Sequence, residues 1–427
     1  MGDTKRMLKN TVVIFIGSIL AGAFSYLFNM LMGRLLGPVQ YGELAAVLSL
    51  VNIFTVVGGV VMTTTMYHVG ELYGLGNTAG IKKLLQIFSK YIFALSILFF
   101  FFAAAFAVPI ANFFSLTHLV PVIIAFSGFL FGFVSLINKG ILQGTQRFFA
   151  FSVVNLLEMI LRVMLGVLLV KVGFSVSGAI LATVLATVLT YGISFWPIGS
   201  FLKKVKTNEK ADFHFKKGDI LNYSWPVLAS TLLLSAMLNL DIIMIKHYFP
   251  GSDAGLYAAT STVAKIILYI TAPIISVMFP MILEKKAKGE KHYKMLIFAL
   301  ALTVIGALLV LGVFAIVPGS VMKVLYGSDY TALYSFLPQL GIYVLFYTLV
   351  NLLANYYLAI KNFVFIIFMA LATATVLVWS SLYHPSILVV IRIFITSQVL
   401  LFAAMIGYYL FIKREQISQY VKGEYGE

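Results

Sequence analysis

The chain has 427 residues, of which 61% are hydrophobic and only 11% charged, with 30 Lys and Arg against 15 Asp and Glu for a net charge of +15. A water-soluble domain carries about a quarter charged residues, so this composition excludes a soluble enzyme, a disordered tail and a secreted disulfide scaffold. With no cysteine, thiol catalysis, thiolate metal sites and iron–sulfur clusters are excluded as well.

Crossing a bilayer takes an apolar helix of about 20 residues, and the chain holds twelve such segments. They lie near 11–32, 44–68, 89–110, 119–137, 150–170 and 175–198 in the first half, and near 221–245, 254–280, 295–317, 332–358, 363–380 and 386–411 in the second. All are continuously apolar, without the alternation of barrel strands, so the expected fold class is an all-α integral membrane protein. The first segment follows Lys5, Arg6 and Lys9 but is too long for a signal peptide. No small-residue cleavage site precedes Arg34, and the segment reads as a retained helix.

Twelve spans place both termini on one side of the membrane. If that side is cytoplasmic, 23 of the 30 basic residues fall in inner segments, with six of them between Lys203 and Lys217. Inner Lys139 and Arg147 contrast with Arg34, Lys171, Lys246 and Lys323 in outer loops, while Arg162, Lys265 and Arg392 fall within spans. The positive-inside rule therefore predicts a multi-pass protein of the cytoplasmic membrane with both termini inside. This topology accounts for the basic charge without nucleic acid, and juxtamembrane lysines should attract anionic membrane lipids.

The most charged connection divides the chain into a six-span lobe over 1–200, a basic cytoplasmic linker over 201–219, a second six-span lobe over 220–412 and a cytoplasmic tail over 413–427. Across that division Gly42-Glu43-Leu44-Ala45-Ala46 matches Gly255-Leu256-Tyr257-Ala258-Ala259 at an offset of 213, half the chain length. Six is an even number, so both lobes enter the membrane from the same side. The expected relation is a pseudo-two-fold along the membrane normal, with Gly42 equivalent to Gly255.

No catalytic constellation is present. The histidines stand singly at 68, 118, 214, 247, 292 and 384, and neither HExxH nor a phosphate-cradling GxxxxGKS loop occurs. No cofactor or metal is expected, and transport energy would come from an ion gradient, the substrate gradient or a partner. Ionised groups inside a span cost about 2.5–3.5 kcal/mol each on insertion scales, which makes Glu158, Arg162, Asp241, Lys265 and Arg392 the informative residues. Glu158 and Arg162, four apart, share a helical face and either pair locally or line a wet cavity. Lys265, with no acidic residue on its own helix, must meet water, a ligand or a partner such as Asp241, itself a candidate for ion coupling along with Glu158. Arg392 lies near a span end and is placed to snorkel outward. Pro226 and Pro273 each remove a helix hydrogen bond and should kink their spans.

Arg34-Leu35-Leu36-Gly37-Pro38-Val39-Gln40-Tyr41-Gly42 resembles the R-x-LGP-x-x-YG signature of the oligosaccharide flippases, the polysaccharide transporter family of the multidrug/oligosaccharidyl-lipid/polysaccharide exporter superfamily. Gly140-Ile141-Leu142-Gln143-Gly144-Thr145-Gln146-Arg147-Phe148, the Glu158/Arg162 spacing, Leu240-Asp241 and the Gly255 segment extend the resemblance over nearly the whole chain. It implies a V-shaped bundle of twelve helices that moves polyprenyl-diphosphate oligosaccharide across the cytoplasmic membrane by alternating access, beside glycan-assembly enzymes and with Na+ or H+ as a coupling ion. The multidrug branch often has an acidic residue in span 1, and none stands there. Arg162, Lys265, Glu158, Arg392 and Arg34 are the candidate substrate-binding residues, with Arg162 and Lys265 facing a common cavity. The competing functions are a cation-coupled multidrug exporter of the same superfamily and a membrane glycosyltransferase or polymerase.

Overall fold

Inside a bilayer no water is available to bond a backbone N–H or C=O, so an apolar stretch closes its own hydrogen bonds as a helix. The structure, a computed structural model, describes residues 2–202, 217–287 and 293–424. Among these there is no strand. In chain order the α-helices are α1 (Gly2–Gly74), α2 (Thr78–Ala105), α3 (Ala107–Phe113), α4 (Val120–Gly144), α5 (Phe148–Leu169), α6 (Ser175–Leu202) and α7 (Lys217–Tyr248). They continue with α8 (Gly251–Ala264), α9 (Ile266–Ala287), α10 (Tyr293–Ile316), α11 (Pro318–Tyr326), α12 (Leu337–Ala359), α13 (Phe365–Leu382) and α14 (Ile387–Glu424).

Among the described residues ten helical stretches are long and apolar enough to cross a membrane. Val12–Gly74 and Phe148–Gly199 contain 63 and 52 residues, and at 1.5 Å per residue they would run to about 95 and 78 Å against a hydrocarbon core of ~30 Å. Each holds two of the expected spans, so all twelve expected segments are helical. The first is divided at Gly37, whose φ of 73° and ψ of 172° leave the helix just before Pro38; a side chain there would be strained, which glycine avoids. The second is divided by a π-helical turn, Val170–Phe174, with Gly173 at φ 106°.

The inner linker expected over 201–219 falls largely on residues 203–216, outside the described residues, as do 425–427 of the tail. By its contacts the chain separates into two units. The first comprises 1–228 together with 242–259 and 322–332, and the second 229–241, 260–321 and 333–427.

In the first unit α1 packs against α4 and α5, and α4 against α2 and α6. A Cβ on Gly140 would lie 2.8 Å from the Met62 carbonyl oxygen and one on Gly144 2.8 Å from that of Met66. Two small residues one turn apart thus let α4 approach the backbone of α1, the usual way membrane helices associate. Arg147 then donates from Nη1 to the Pro197 carbonyl at 2.8 Å, holding the start of α5 to α6.

The second unit is organised around α12, which packs against α9, α10 and α14. Tyrosines on α12 satisfy their hydroxyls on backbone carbonyls: Tyr343 donates to Met237, Tyr347 to Leu234 at 3.2 Å, and Tyr357 to Met405 at 2.7 Å. Tyr343 and Tyr347 thereby fix the register of α12 against α7.

Candidate functional site

The first unit holds an open cavity of about 350 Å³ between α1, α4, α5 and α6. Its walls are largely apolar, with Leu48, Val51, Leu136 and Val184 partly exposed along them beside glycines 59 and 132. A Cβ added at either glycine would meet nothing within 4 Å, so both positions open onto free space.

One edge of this cavity is charged. Lys139 Nζ lies 2.7 Å from Glu158 Oε2, both side chains being 12% exposed, and Thr187 donates to Glu158 Oε1 at 3.0 Å. Arg162 also lines the cavity, one helical turn beyond Glu158 on α5, with its guanidinium 4.3 Å from the centre of the Phe28 ring. That distance is within cation–π range. Glu158 thus pairs with Lys139 from α4, and Glu158 and Arg162 both line the cavity, the second of the two alternatives that their spacing along α5 left open. Lys139, expected just beyond the fourth span, lies within α4, which continues to Gly144.

Asp241 and Lys265 come together in the second unit. The Asp241 side chain is fully buried; its Oδ2 accepts from Ser261 Oγ at 2.6 Å and its Oδ1 lies 3.8 Å from Lys265 Nζ. Lys265 occupies the joint between α8 and α9, where its carbonyl accepts from Leu268 at 3.0 Å in a tightened turn. Aspartate on α7, serine on α8 and lysine at the joint thus converge, and the lysine is charge-compensated by the residue that sequence reasoning offered as one of its partners. Arg392 on α14 is exposed.

A third arrangement lies within the first unit, where the two glycine-led repeats touch. A Cβ on Gly42 would be 2.9 Å from Gly255 N, and one on Gly255 would overlap the Pro38 carbonyl oxygen at 1.6 Å. Around this contact Arg34 donates from Nε to the Leu325 carbonyl at 2.9 Å and from Nη2 to that of Val324, at the end of α11. The residue 213 positions after Arg34 is His247. Its Nδ1 lies 2.7 Å from the Phe113 carbonyl at the end of α3, and its ring stacks on Phe113 at 3.8 Å. Basic side chains favour helix C-termini, where carbonyls lack intrahelical partners.

Tyr330 completes the junction. Its hydroxyl donates to the Gly33 carbonyl at 2.7 Å, and burial with Tyr41 and Asp329 nearby pushes its ionisation up, so it stays a donor. Close to the junction Glu43 accepts from both the Thr117 backbone at 3.2 Å and its hydroxyl at 2.7 Å. Lys246, expected just beyond the seventh span, lies in the last turn of α7 and is 4% exposed. Sequence reasoning missed Lys139 and His247 as partners; only the 213-residue offset carried a signal for His247. Among the described residues no group of three or more His, Cys, Asp or Glu could hold a metal.

The sequence profile of the polysaccharide biosynthesis protein family matches residues 7–286, about two thirds of the chain. The chain belongs to that family. No curated protein matches it. Its fold is similar to an inward-facing multidrug resistance MATE family transporter of the MOP superfamily, with a TM-score of 0.70 at 13% identity over 94% of this chain and 99% of that one. An outward-facing MATE family transporter matches with a TM-score of 0.66 at 17% identity, covering 96% of each chain. A MOP superfamily transporter from Pyrococcus furiosus, described as having a binding pocket of reversed polarity that suggests a different function, matches with a TM-score of 0.63 at 17% identity over 95% of this chain and 96% of that one. The chain is a multi-pass membrane protein that shares the fold of these transporters.

Proposed function

We propose that this member of the polysaccharide biosynthesis protein family is a flippase that carries polyprenyl-diphosphate oligosaccharide across the cytoplasmic membrane by alternating access, for assembly of cell-surface polysaccharide or other glycans. The observation that carries this reading is the charge pattern of the cavity in the first unit. Glu158, its one carboxylate, is neutralised by Lys139 at 2.7 Å, and Arg162 adds a cation one turn away. Such a surface favours a ligand with an anionic end. A guanidinium can grip phosphate oxygens in bidentate fashion, and it does so more strongly beside low-dielectric walls than in bulk water.

The competing reading, a cation-coupled multidrug exporter, draws support from the MATE family transporters that share the fold. A lipophilic cation would find no uncompensated negative charge beside Lys139 and Arg162, which favours the flippase. Coupling to H+ or Na+ would have to displace an ammonium group, either Lys139 from Glu158 or Lys265 from Asp241. The termini face the cytoplasm in this reading, since that topology holds most basic residues inside.

Complementation separates the two functions. Expression in a flippase-deficient strain should restore surface polysaccharide, and expression in an efflux-deficient strain should leave resistance to lipophilic cations unchanged. The opposite pair of results would establish the exporter.

A further inference from the structure

We infer that the Lys139–Glu158–Thr187 edge of the cavity in the first unit is a sugar subsite, which receives the saccharide unit joined to the diphosphate. The inference rests on the flippase reading and deepens it. A pyranose has an apolar C–H face and a rim of hydroxyls, each of which both donates and accepts. The cavity offers the same two features in one place: an apolar wall at Leu48, Val51, Leu136 and Val184, and a charged edge that presents donors and acceptors together.

The bond count at that edge leaves room for hydroxyls. An ionised carboxylate has roughly four acceptor sites and an ammonium three donors. Glu158 takes one bond from Lys139 and one from Thr187. The pair is neutral as a whole, so it exerts no net pull on a phosphate or on an organic cation. Polyols suit a neutral pair, because every hydroxyl can give to Glu158 and take from Lys139.

Size and spacing agree. A cavity of about 350 Å³ lies near the bottom of the ~300–1,000 Å³ range of small-molecule sites, room for one sugar unit with the rest of a glycan outside it. Arg162 follows Glu158 by four residues, about 6 Å along the axis. That step is comparable to the distance from a sugar ring to the diphosphate attached to it, so one substrate could engage both groups.

Because the chain has no cysteine, a single Gly132→Cys thiol can report on the cavity, and the open space at Gly132 admits it without a clash. The purified protein would be labelled with a methanethiosulfonate reagent in the presence of methyl glycosides of glucose, galactose, mannose, rhamnose and N-acetylglucosamine, of inorganic pyrophosphate, or of tetraphenylphosphonium. The expected result is that at least one glycoside at millimolar concentration slows labelling by about threefold or more, as a weak millimolar site would. Adding Lys139→Met with Glu158→Gln, which removes the pair without stranding a charge, should abolish that protection while the protein remains monodisperse. Protection by pyrophosphate and by no glycoside would overturn the sugar subsite and leave the flippase reading standing. Protection by tetraphenylphosphonium alone would overturn both. Absence of any protection, or of any labelling, would show a cavity that receives no such solute and would also overturn the subsite.

Discussion

Gly42 and Gly255, 213 positions apart in the sequence, meet backbone to backbone. These are the two positions that the matching segments, at an offset of half the chain length, align with each other. The approach leaves no room for a side chain, since a Cβ on Gly255 would sit 1.6 Å from the Pro38 carbonyl oxygen. Gly255→Ala should therefore force the segments apart and lower stability by about 1–3 kcal/mol, as overpacking does. Gly251→Ala, whose nearest neighbour would be Val39 Cγ1 at 3.4 Å, should be tolerated. Thermal unfolding in detergent would compare the two; equal midpoints would remove the close contact from the account.

The same junction predicts a cross-link. A Cβ built on Gly251 lies 3.4 Å from Val39 Cγ1, which brings the two Cβ positions close to the ~3.5–4.5 Å separation of a disulfide. In a chain without native cysteine, Val39→Cys with Gly251→Cys should oxidise readily. If alternating access parts these segments, the bond should also arrest transport until it is reduced. A cross-linked protein that transports at the normal rate would show that the junction stays closed throughout the cycle.

The helices were legible because a span announces itself by length and hydropathy alone, and both are local properties. The charged sites were legible only in part. Glu158 stood out as a carboxylate inside a span, yet its partner on the same helix, Arg162, was the one that spacing along α5 could suggest; Lys139 reaches it from α4, and no one-dimensional pattern encodes that approach. Lys246 looked like a loop residue because it stands at the end of an apolar run, although the fold buries it. The Gly140 to Gly144 segment was read as part of a family signature, and its two glycines turn out to seat α4 against the backbone of α1. Signature residues of this kind report on packing as readily as on transport.

The Lys139–Glu158 pair should behave as a compensated buried charge. Removing Lys139 alone by Lys139→Met strands the carboxylate and should cost about 3–5 kcal/mol, whereas Lys139→Met combined with Glu158→Gln should recover most of that loss. The measurement is the thermal midpoint of the two single variants and the double variant. Additive losses would mean that the two side chains do not interact.

The same reasoning, applied to the second unit, separates structure from transport at Lys265. Because Asp241 is fully buried and faces Lys265 Nζ at 3.8 Å, Lys265→Ala should lower expression and stability by leaving the carboxylate without its cation, with a cost again of about 3–5 kcal/mol. A loss of transport in that variant would then be uninformative by itself. Lys265→Met with Asp241→Asn removes both charges, and the asparagine can still accept from Ser261, which now donates to Oδ2 at 2.6 Å. This double variant should return to near wild-type stability. If the ammonium serves only to neutralise Asp241, surface polysaccharide will be restored along with the fold. The expected outcome is that folding recovers and export does not, because the second unit has then lost both the cation that could meet an anionic substrate and the carboxylate that could take up a coupling ion. Full export by a stable double variant would place Lys265 and Asp241 among the structural residues.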